Sequence, residues 1–305
     1  MANAQPHRFK TISEYHRFRG LPKPEHPLIS VINLESIKKL SADEMSLVFD
    51  FYCIALKRNF GSKVKYGQQE YDFDEGTMFF MSPGQVFRVE VEKNLPLKPS
   101  GWMIYIHPDF LWNTSLAKTI RQFRYFDYSV NEALHLSEKE EVALTGIVQN
   151  IEQEYRSNID NFSRDLMISQ IEVLLNYSNR FYHRQFLTRQ KASDDLLMKL
   201  EDLLSEYFGN QNKSQAGLPT VKYVSEKLNV SPSYLSDLLR TLTGQNAQQH
   251  IHNKLIEKAK AELTTTSLSV GEIAYRLGFE HPQSFNKLFK NKTDVSPLEF
   301  RNSFN

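Results

Sequence analysis

Two sets of polar side chains near the C-terminus have the types and spacing to grip a planar, hydrogen-bonding target. Ser233, Ser236, Asp237 and Arg240 follow one another at intervals of three, four and seven from the first; Gln283, Asn286, Lys287 and Lys290 repeat that spacing, with Ser284 beside them. On a helix such intervals put each set on one face. Gln and Asn amides match the donor–acceptor pair on an adenine edge, Lys matches guanine acceptors or a phosphate, and a carboxylate accepts from cytosine N4. This is chemistry of recognition, with no bond made or broken. A polar helix face is usually plain solvated surface, so the weight falls on what surrounds these residues.

Residues suited to bond-making are not arranged for it. A metal-holding β-barrel needs a His-x-His pair with a further Glu and His to fill the coordination sphere. Residues 61–76 contain no histidine, and Gln85-Val86-Phe87 after Pro83-Gly84 adds none. His107 stands alone in its run and reads as a hydrogen-bonded structural histidine, while His250 and His252 read as solvated surface. No nucleophile motif or phosphate-cradling glycine loop is present. The expectation is therefore a protein without catalytic residues, bound metal or cofactor. Cys53 is the single cysteine, which excludes an internal disulfide and a multi-thiolate site. Its place in an apolar alternation marks it as a small inert hydrophobe.

The elements that must position the two polar sets are themselves repeated. Thr220-Val221 recurs as Ser269-Val270 and Leu228 as Leu277, at an offset of 49. Past the turn the offset becomes 50: Pro232 matches Pro282, Leu235 Phe285, Leu238 Leu288, Leu239 Phe289, Arg240 Lys290 and Thr243 Thr293. One residue has been inserted at the turn of the second copy, so these are two copies of one supersecondary unit. Each copy reads as helix, short turn, helix. Thr220 caps the first, and Ser269 with Glu272 forms a capping box. Gly278 supplies a left-handed residue at a helix end, and Pro232 and Pro282 stand at the first position of the following helices. Leu235, Leu238 and Leu239, like Phe285, Leu288 and Phe289, form the inward face. A long helical stretch from about Ala247 to Leu263 joins the copies. Two short helices joined by a tight turn are the geometry of a helix-turn-helix, and a rigid connector sets the distance between the two.

The chain of 305 residues is too long for one ordinary core. Residues from about Phe49 to His107 alternate as β structure: Phe49, Phe51, Cys53 and Ala55, then Phe87, Val89 and Val91, then Trp102, Ile104 and Ile106. Ser137 with Glu140 is a capping box that opens a helix. A second helix is expected over Phe162 to Leu187, with Leu166 among its apolar positions, and a third over Asp194 to Phe208. Between them, Thr188 to Ser193 is the candidate linker. From Gln215 on, 11 Lys and Arg face 8 Asp and Glu, or +3; the rest of the chain carries 26 against 28, or −2. The sign suits a nucleic-acid-binding tail, though the asymmetry is small. The first ten residues lack the apolar stretch of a secretion signal, and no apolar run approaches the roughly 18 residues of a membrane span. With one cysteine, a cytoplasmic setting and no membrane partner are expected.

From about Leu218 to Arg301 the chain resembles the DNA-binding domain of the AraC/XylS family. The resemblance is carried by Val230-Ser231-Pro232-Ser233-Tyr234-Leu235-Ser236 with Thr243-Gly244, by Ile273-Ala274-Tyr275-Arg276-Leu277-Gly278-Phe279, and by Phe289-Lys290, Ser296-Pro297 and Phe300-Arg301. It implies a regulator of transcription that binds double-stranded DNA, in most relatives an activator that recruits RNA polymerase. Carried onto matching positions, it implies base contacts from Ser233, Ser236, Asp237, Gln283, Ser284, Asn286 and Lys287, and phosphate contacts from Arg240, Lys254 and Lys290. Asp237 and Lys254 depart from the family pattern, standing where relatives often have a basic or amide residue and an arginine. Residues 76–91 (GTMFFMSPGQVFRVEV) resemble a hairpin of the family's cupin-like sensor half. In relatives that half binds a small effector and the helical pair after it dimerises. The expected architecture is multidomain α and β: a cupin-like β-barrel sensor over 1–135, a helical dimerisation hairpin and linker over 136–192, and an all-α domain over 193–305 with two helix-turn-helix units joined by a long helix. Phe51, Cys53, Phe80, Phe87 and Trp102 are the candidate effector pocket. Such aromatics fill a small barrel or line an apolar pocket, and the residues alone leave both open.

Overall fold

Alternating apolar residues in the first half of the chain build two sheets. The computed structural model describes residues 6–37, 45–58, 76–89, 100–129, 132–157, 160, 162–188, 190–209 and 217–303. The chain divides into two compact units, Met1–Gln185 and Phe186–Asn305. In the first, β1 (His7–Phe9), β3 (Met45–Phe49) and β6 (Val86–Val89) form a three-stranded sheet in the order β1-β3-β6, with β1 parallel to β3. The larger, antiparallel sheet runs β2-β7-β4-β5-β8, from β2 (Ile29–Asn33), β7 (Ser100–Ile106), β4 (Tyr52–Arg58), β5 (Thr77–Met81) and β8 (Leu134–His135). The run from Phe49 to Ala55, read as one alternation, is divided: β3 ends at Phe49, β4 begins at Tyr52, and the bend between them sends the chain from one sheet to the other. The β5–β6 turn crosses between the sheets as well, and Gly84 N there donates to Phe49 O at 2.7 Å.

One face of the larger sheet carries Cys53, Ala55, Phe79, Met81, Met103 and Tyr105 into a core shared with Phe9, Phe49 and Phe51. The register sets this, since Cys53 pairs with Met81 and Tyr105. The opposite face is buried too. Ile54, Leu56, Met78, Phe80 and Ile104 lie there, and the Phe80 ring packs on Tyr125, Phe126 and Tyr182. A sheet covered on both faces makes β5 apolar at every buried position except Thr77. Gly101 has φ +115 and passes so close to β4 that a Cβ would stand 2.2 Å from Leu56 O, which requires glycine.

Between the strands lie α1 (Ile12–Arg19) and α2 (Ser115–Thr119). Two long helices follow the sheets, α3 (Glu138–Arg156) and α4 (Ser163–Thr188). Glu140 reaches back to cap Ser137 N at 2.9 Å, as its spacing implied. Leu144, Val148, Ile151 and Tyr155 turn one face of α3 inward. In α4 Ile171, Leu174 and Leu175 are buried, but Leu166, expected inward, is 54% exposed, and Phe162, Val173 and Tyr177 are exposed with it. The candidate linker is largely helical, because α5 (Gln190–Gly209) begins four residues earlier than the apolar pattern suggested. The α5 helix belongs to the second unit, with α6 (Val221–Lys227), α7 (Pro232–Thr243), α8 (Ala247–Thr265), α9 (Val270–Arg276), α10 (Pro282–Thr293) and α11 (Pro297–Asn302).

Candidate nucleic-acid interface

The pairs α6–α7 and α9–α10 are built by the same local devices. Thr220 Oγ1 accepts from Tyr223 N, and Ser269 Oγ accepts from Glu272 N, so each first helix has a side-chain cap. At the turns, Asn229 adopts φ +58 and Gly278 φ +94, the left-handed conformation that ends a helix. Val230 N then bonds Ser225 O, and Phe279 N bonds Ala274 O, both at 3.0 Å. Pro232 and Pro282 open the second helices, where no amide hydrogen is needed. Thr243 and Thr293 each donate to the carbonyl four residues back, at 2.8 Å, before a positive-φ residue, Gly244 or Asp294. Leu235, Leu238 and Leu239 are buried, as are Phe285 and Phe289. These inward residues fix which side of α7 and α10 faces out. Between the pairs, α8 buries Ala247, Ile251, Leu255, Ile256, Ala259 and Leu263.

On α10 the outward set is open: Gln283, Ser284, Asn286, Lys287 and Lys290 are all exposed. Two amides, a hydroxyl and two ammonium groups on one helix face can bond base edges and phosphate oxygens. The α7 set has different surroundings. Ser233 is half-buried, Ser236 is buried at 8% exposure, and Asp237 is half-buried with its Oδ1 3.3 Å from Arg240 Nη1. Lys254 is also engaged, its Nζ 3.8 Å from Glu201 Oε2 and 3.6 Å from Glu257 Oε2. The ten expected DNA-facing residues thus divide into an open group on α10 and a shielded or paired group on α7 and α8.

The candidate effector residues divide as well. Phe51 and Cys53 belong to the core between the sheets, whereas Phe80 and Trp102 lie on the opposite face of the larger sheet. Phe87 is in β6, across from Leu47. Trp102 Nε1 donates to Thr145 Oγ1 at 3.4 Å and borders a cleft of about 190 Å³ with Asn33, Arg58, Gly101 and Gln149. Burial of Cys53 pushes its thiol pKa up to about 12, the behaviour of an inert buried cysteine. His107 Nδ1 accepts from Asp109 N at 3.2 Å, a structural role. His250 is not solvated surface: Nε2 lies 2.9 Å from Thr243 Oγ1 and Nδ1 3.9 Å from Glu201 Oε1, and burial lowers its pKa below 6.5.

One positioning group has no counterpart in the sequence reading. Glu262 of α8 is buried with Oε1 3.5 Å from Arg276 Nε of α9 and 3.9 Å from Lys258 Nζ, and Arg301 Nε of α11 donates to Leu263 O at 3.0 Å. These bonds tie α9 and α11 to the connector α8. The available signal was a charge beside Ala259 and Leu263 in the connector's buried register, since such charges are almost always paired.

A doubled helix-turn-helix with an open polar reading face defines a DNA-binding module. The sequence profile of a helix-turn-helix domain family matches residues 224–303. The regulatory protein SoxS of Escherichia coli is 30% identical over 115 residues, which are 38% of this chain and 97% of SoxS. The transcriptional regulatory protein YesN of Bacillus subtilis is 31% identical over 124 residues, but these span 38% of this chain and only 32% of YesN. Among solved structures, the C-terminal domain of the response regulator yesN from Fusobacterium nucleatum is 33% identical with a TM-score of 0.30, covering 33% of this chain and 93% of that one. The chain belongs to the AraC family of transcription regulators, and it spans less than half the length of several of the relatives it matches. Among the described residues no helix is long and apolar enough to cross a membrane.

Proposed function

We propose that this regulator reads two adjacent major-groove segments, one through α7 and one through α10, and does so in response to an effector. The observation that carries the reading is the repeat itself: two units with matched caps, turns and prolines, joined by one helix, with an open amide- and lysine-bearing face on α10. On this reading Ser233, Ser236, Asp237, Gln283, Ser284, Asn286 and Lys287 face bases, and Arg240, Lys254 and Lys290 face phosphates. The Asp237–Arg240 pair opens on docking, and so does the contact of Lys254 with Glu201.

The remainder of the proposal concerns regulation. Residues 1–135 act as a cupin-like barrel sensor, 136–192 as a dimerising hairpin and linker, and 193–305 as the DNA-binding domain. The exposed stripe Leu166, Val173 and Tyr177 on α4, with Phe162 just before its start, supports pairing with a second copy, since apolar residues in a row on a helix face favour burial. The two sheets and their aromatic core support a barrel-like sensor for a small molecule. As in activators of the family, the DNA-bound protein recruits RNA polymerase.

The test is selection of bound duplexes from a random pool with the full chain at a stated salt concentration. Two enriched blocks about ten base pairs apart are expected, because successive major grooves on one face are one helical turn apart. Enrichment of a single block, or of none, would count against two-unit reading. A small-molecule thermal-shift screen tests the sensor, since a ligand of the folded state raises the melting temperature by mass action.

A further inference from the structure

The two reading helices share one backbone design, so differences in their surroundings are not set by the helix-turn-helix itself. Tyr234, Asp237 and Thr241 lie at i, i+3 and i+7 along one flank of α7, and all three are half-buried. Their counterparts on α10, Ser284, Lys287 and Asn291, are all exposed. The contrast extends to Ser236 and Ser231, each 8% exposed, against exposed Asn286 and His281. A side chain seated on the α7 flank is Phe186. Its ring meets the Tyr234 ring edge-on, with centroids 5.2 Å apart and planes at 80°. Phe186 is 2% exposed, like Gln185 before it, while Leu187 and Thr188 after it are exposed. Ser193 Oγ donates to Phe186 O at 3.0 Å and pins the backbone there.

We propose that Phe186 is an intramolecular plug that holds the first reading helix out of DNA, so that α7 docks only when Phe186 leaves Tyr234. The inference rests on the two-unit reading above and adds its regulation. A major groove about 12 Å wide admits one helix, and α7 cannot enter fully while the Phe186 ring is packed against its flank. Burial of a phenyl group with an edge-on aromatic partner favours the closed state by about tenfold or more. The affinity of the first unit falls by the same factor, because only the open fraction binds. In this state α10 is ready to read, and α7 adds its block only through the open fraction.

The test uses the full chain and two independent readouts. Thiol labelling needs no DNA, and buried Cys53 stays silent in it. Asp237→Cys should label at least about tenfold more slowly than Lys287→Cys, and adding Phe186→Ala should raise the first rate about tenfold without changing the second. Phe186→Leu, which keeps an apolar side chain, should lie between and guards against misfolding. On a duplex carrying both selected blocks, Phe186→Ala should bind about tenfold more tightly and extend protection over the first block, with no change on a duplex carrying only the α10 block. An Asp237→Cys rate indifferent to Phe186 would overturn the plug even if both blocks are bound. Faster labelling with unchanged affinity on both duplexes would instead keep the plug and overturn DNA reading by α7.

Discussion

At the scale of single residues, position on a helix separates specificity from attraction. Asn286 offers a donor and an acceptor from the open face of α10, whereas Lys290, one turn further along, offers charge. Asn286→Ala should cost about 1–3 kcal/mol on the preferred duplex and relax selection at one base, measured by competition between single-base variants. Equal loss on random DNA would remove Asn286 from the base-reading set. Lys290→Ala should weaken binding to all duplexes alike and lower the slope of log affinity against log salt by about one, because one fewer counterion is released. Cys53, with its thiol pKa pushed up to about 12 by burial, should resist a thiol reagent in the folded protein and react in denaturant. Fast labelling of the native chain would show that the core between the sheets opens.

At the scale of elements, each helix pair depends on one left-handed residue at its turn. Gly278 at φ +94 has no side chain to clash, and Asn229 at φ +58 tolerates this region better than other residues. Gly278→Ala should lower stability by about 1–2 kcal/mol, while Asn229→Gly should change it by less than about 1 kcal/mol, read as denaturant midpoints. If the two substitutions had equal effects, the turns would not be equivalent. Glu262, Arg276 and Arg301 act at the same scale: the connector holds α9 and α11 through ion pairs and a carbonyl as well as through apolar packing.

For the whole molecule, pH and self-association are the measurable properties. Burial lowers the pKa of His16, His26, His250 and His252 below 6.5, so the fold holds each of them neutral. The unfolded chain then binds more protons once the pH falls below 6.5, and stability present above that value is lost as the pH falls through each lowered folded pKa. Glu272 and Glu299, held below 4.5 by backbone hydrogen bonds at helix caps, add a second loss in the more acid range. The melting temperature should therefore drop steadily from about pH 7 to about pH 5, and less steeply in His250→Gln. A flat profile would contradict the burial of these imidazoles. Self-association through α4 should be broken by Leu166→Glu with Val173→Glu, seen as a monomer by sedimentation, while the folded far-UV signal persists. A double variant with unchanged mass would place any dimer contact elsewhere.

The sequence by itself determined the helix-turn-helix units, because their caps, turns and prolines act within a few residues and leave local signatures. It also determined the outward set of α10, where helical spacing against Phe285 and Phe289 decides the face and, among the described residues, nothing else covers it. The burial of Ser236 and the half-burial of Tyr234 and Asp237 were decided by tertiary structure: helical spacing turns Ser236 and Asp237 outward, and it cannot report that the Phe186 ring, forty-eight residues upstream, meets Tyr234 on the same helix. The separation of Phe80 and Trp102 from Phe51 and Cys53 was decided there as well. Apolar residues alternate clearly only when one sheet face meets water, and here both faces are buried. Hydrophobicity then marks a strand without saying which side of it faces which core; strand register and the helices laid over the sheet decide that.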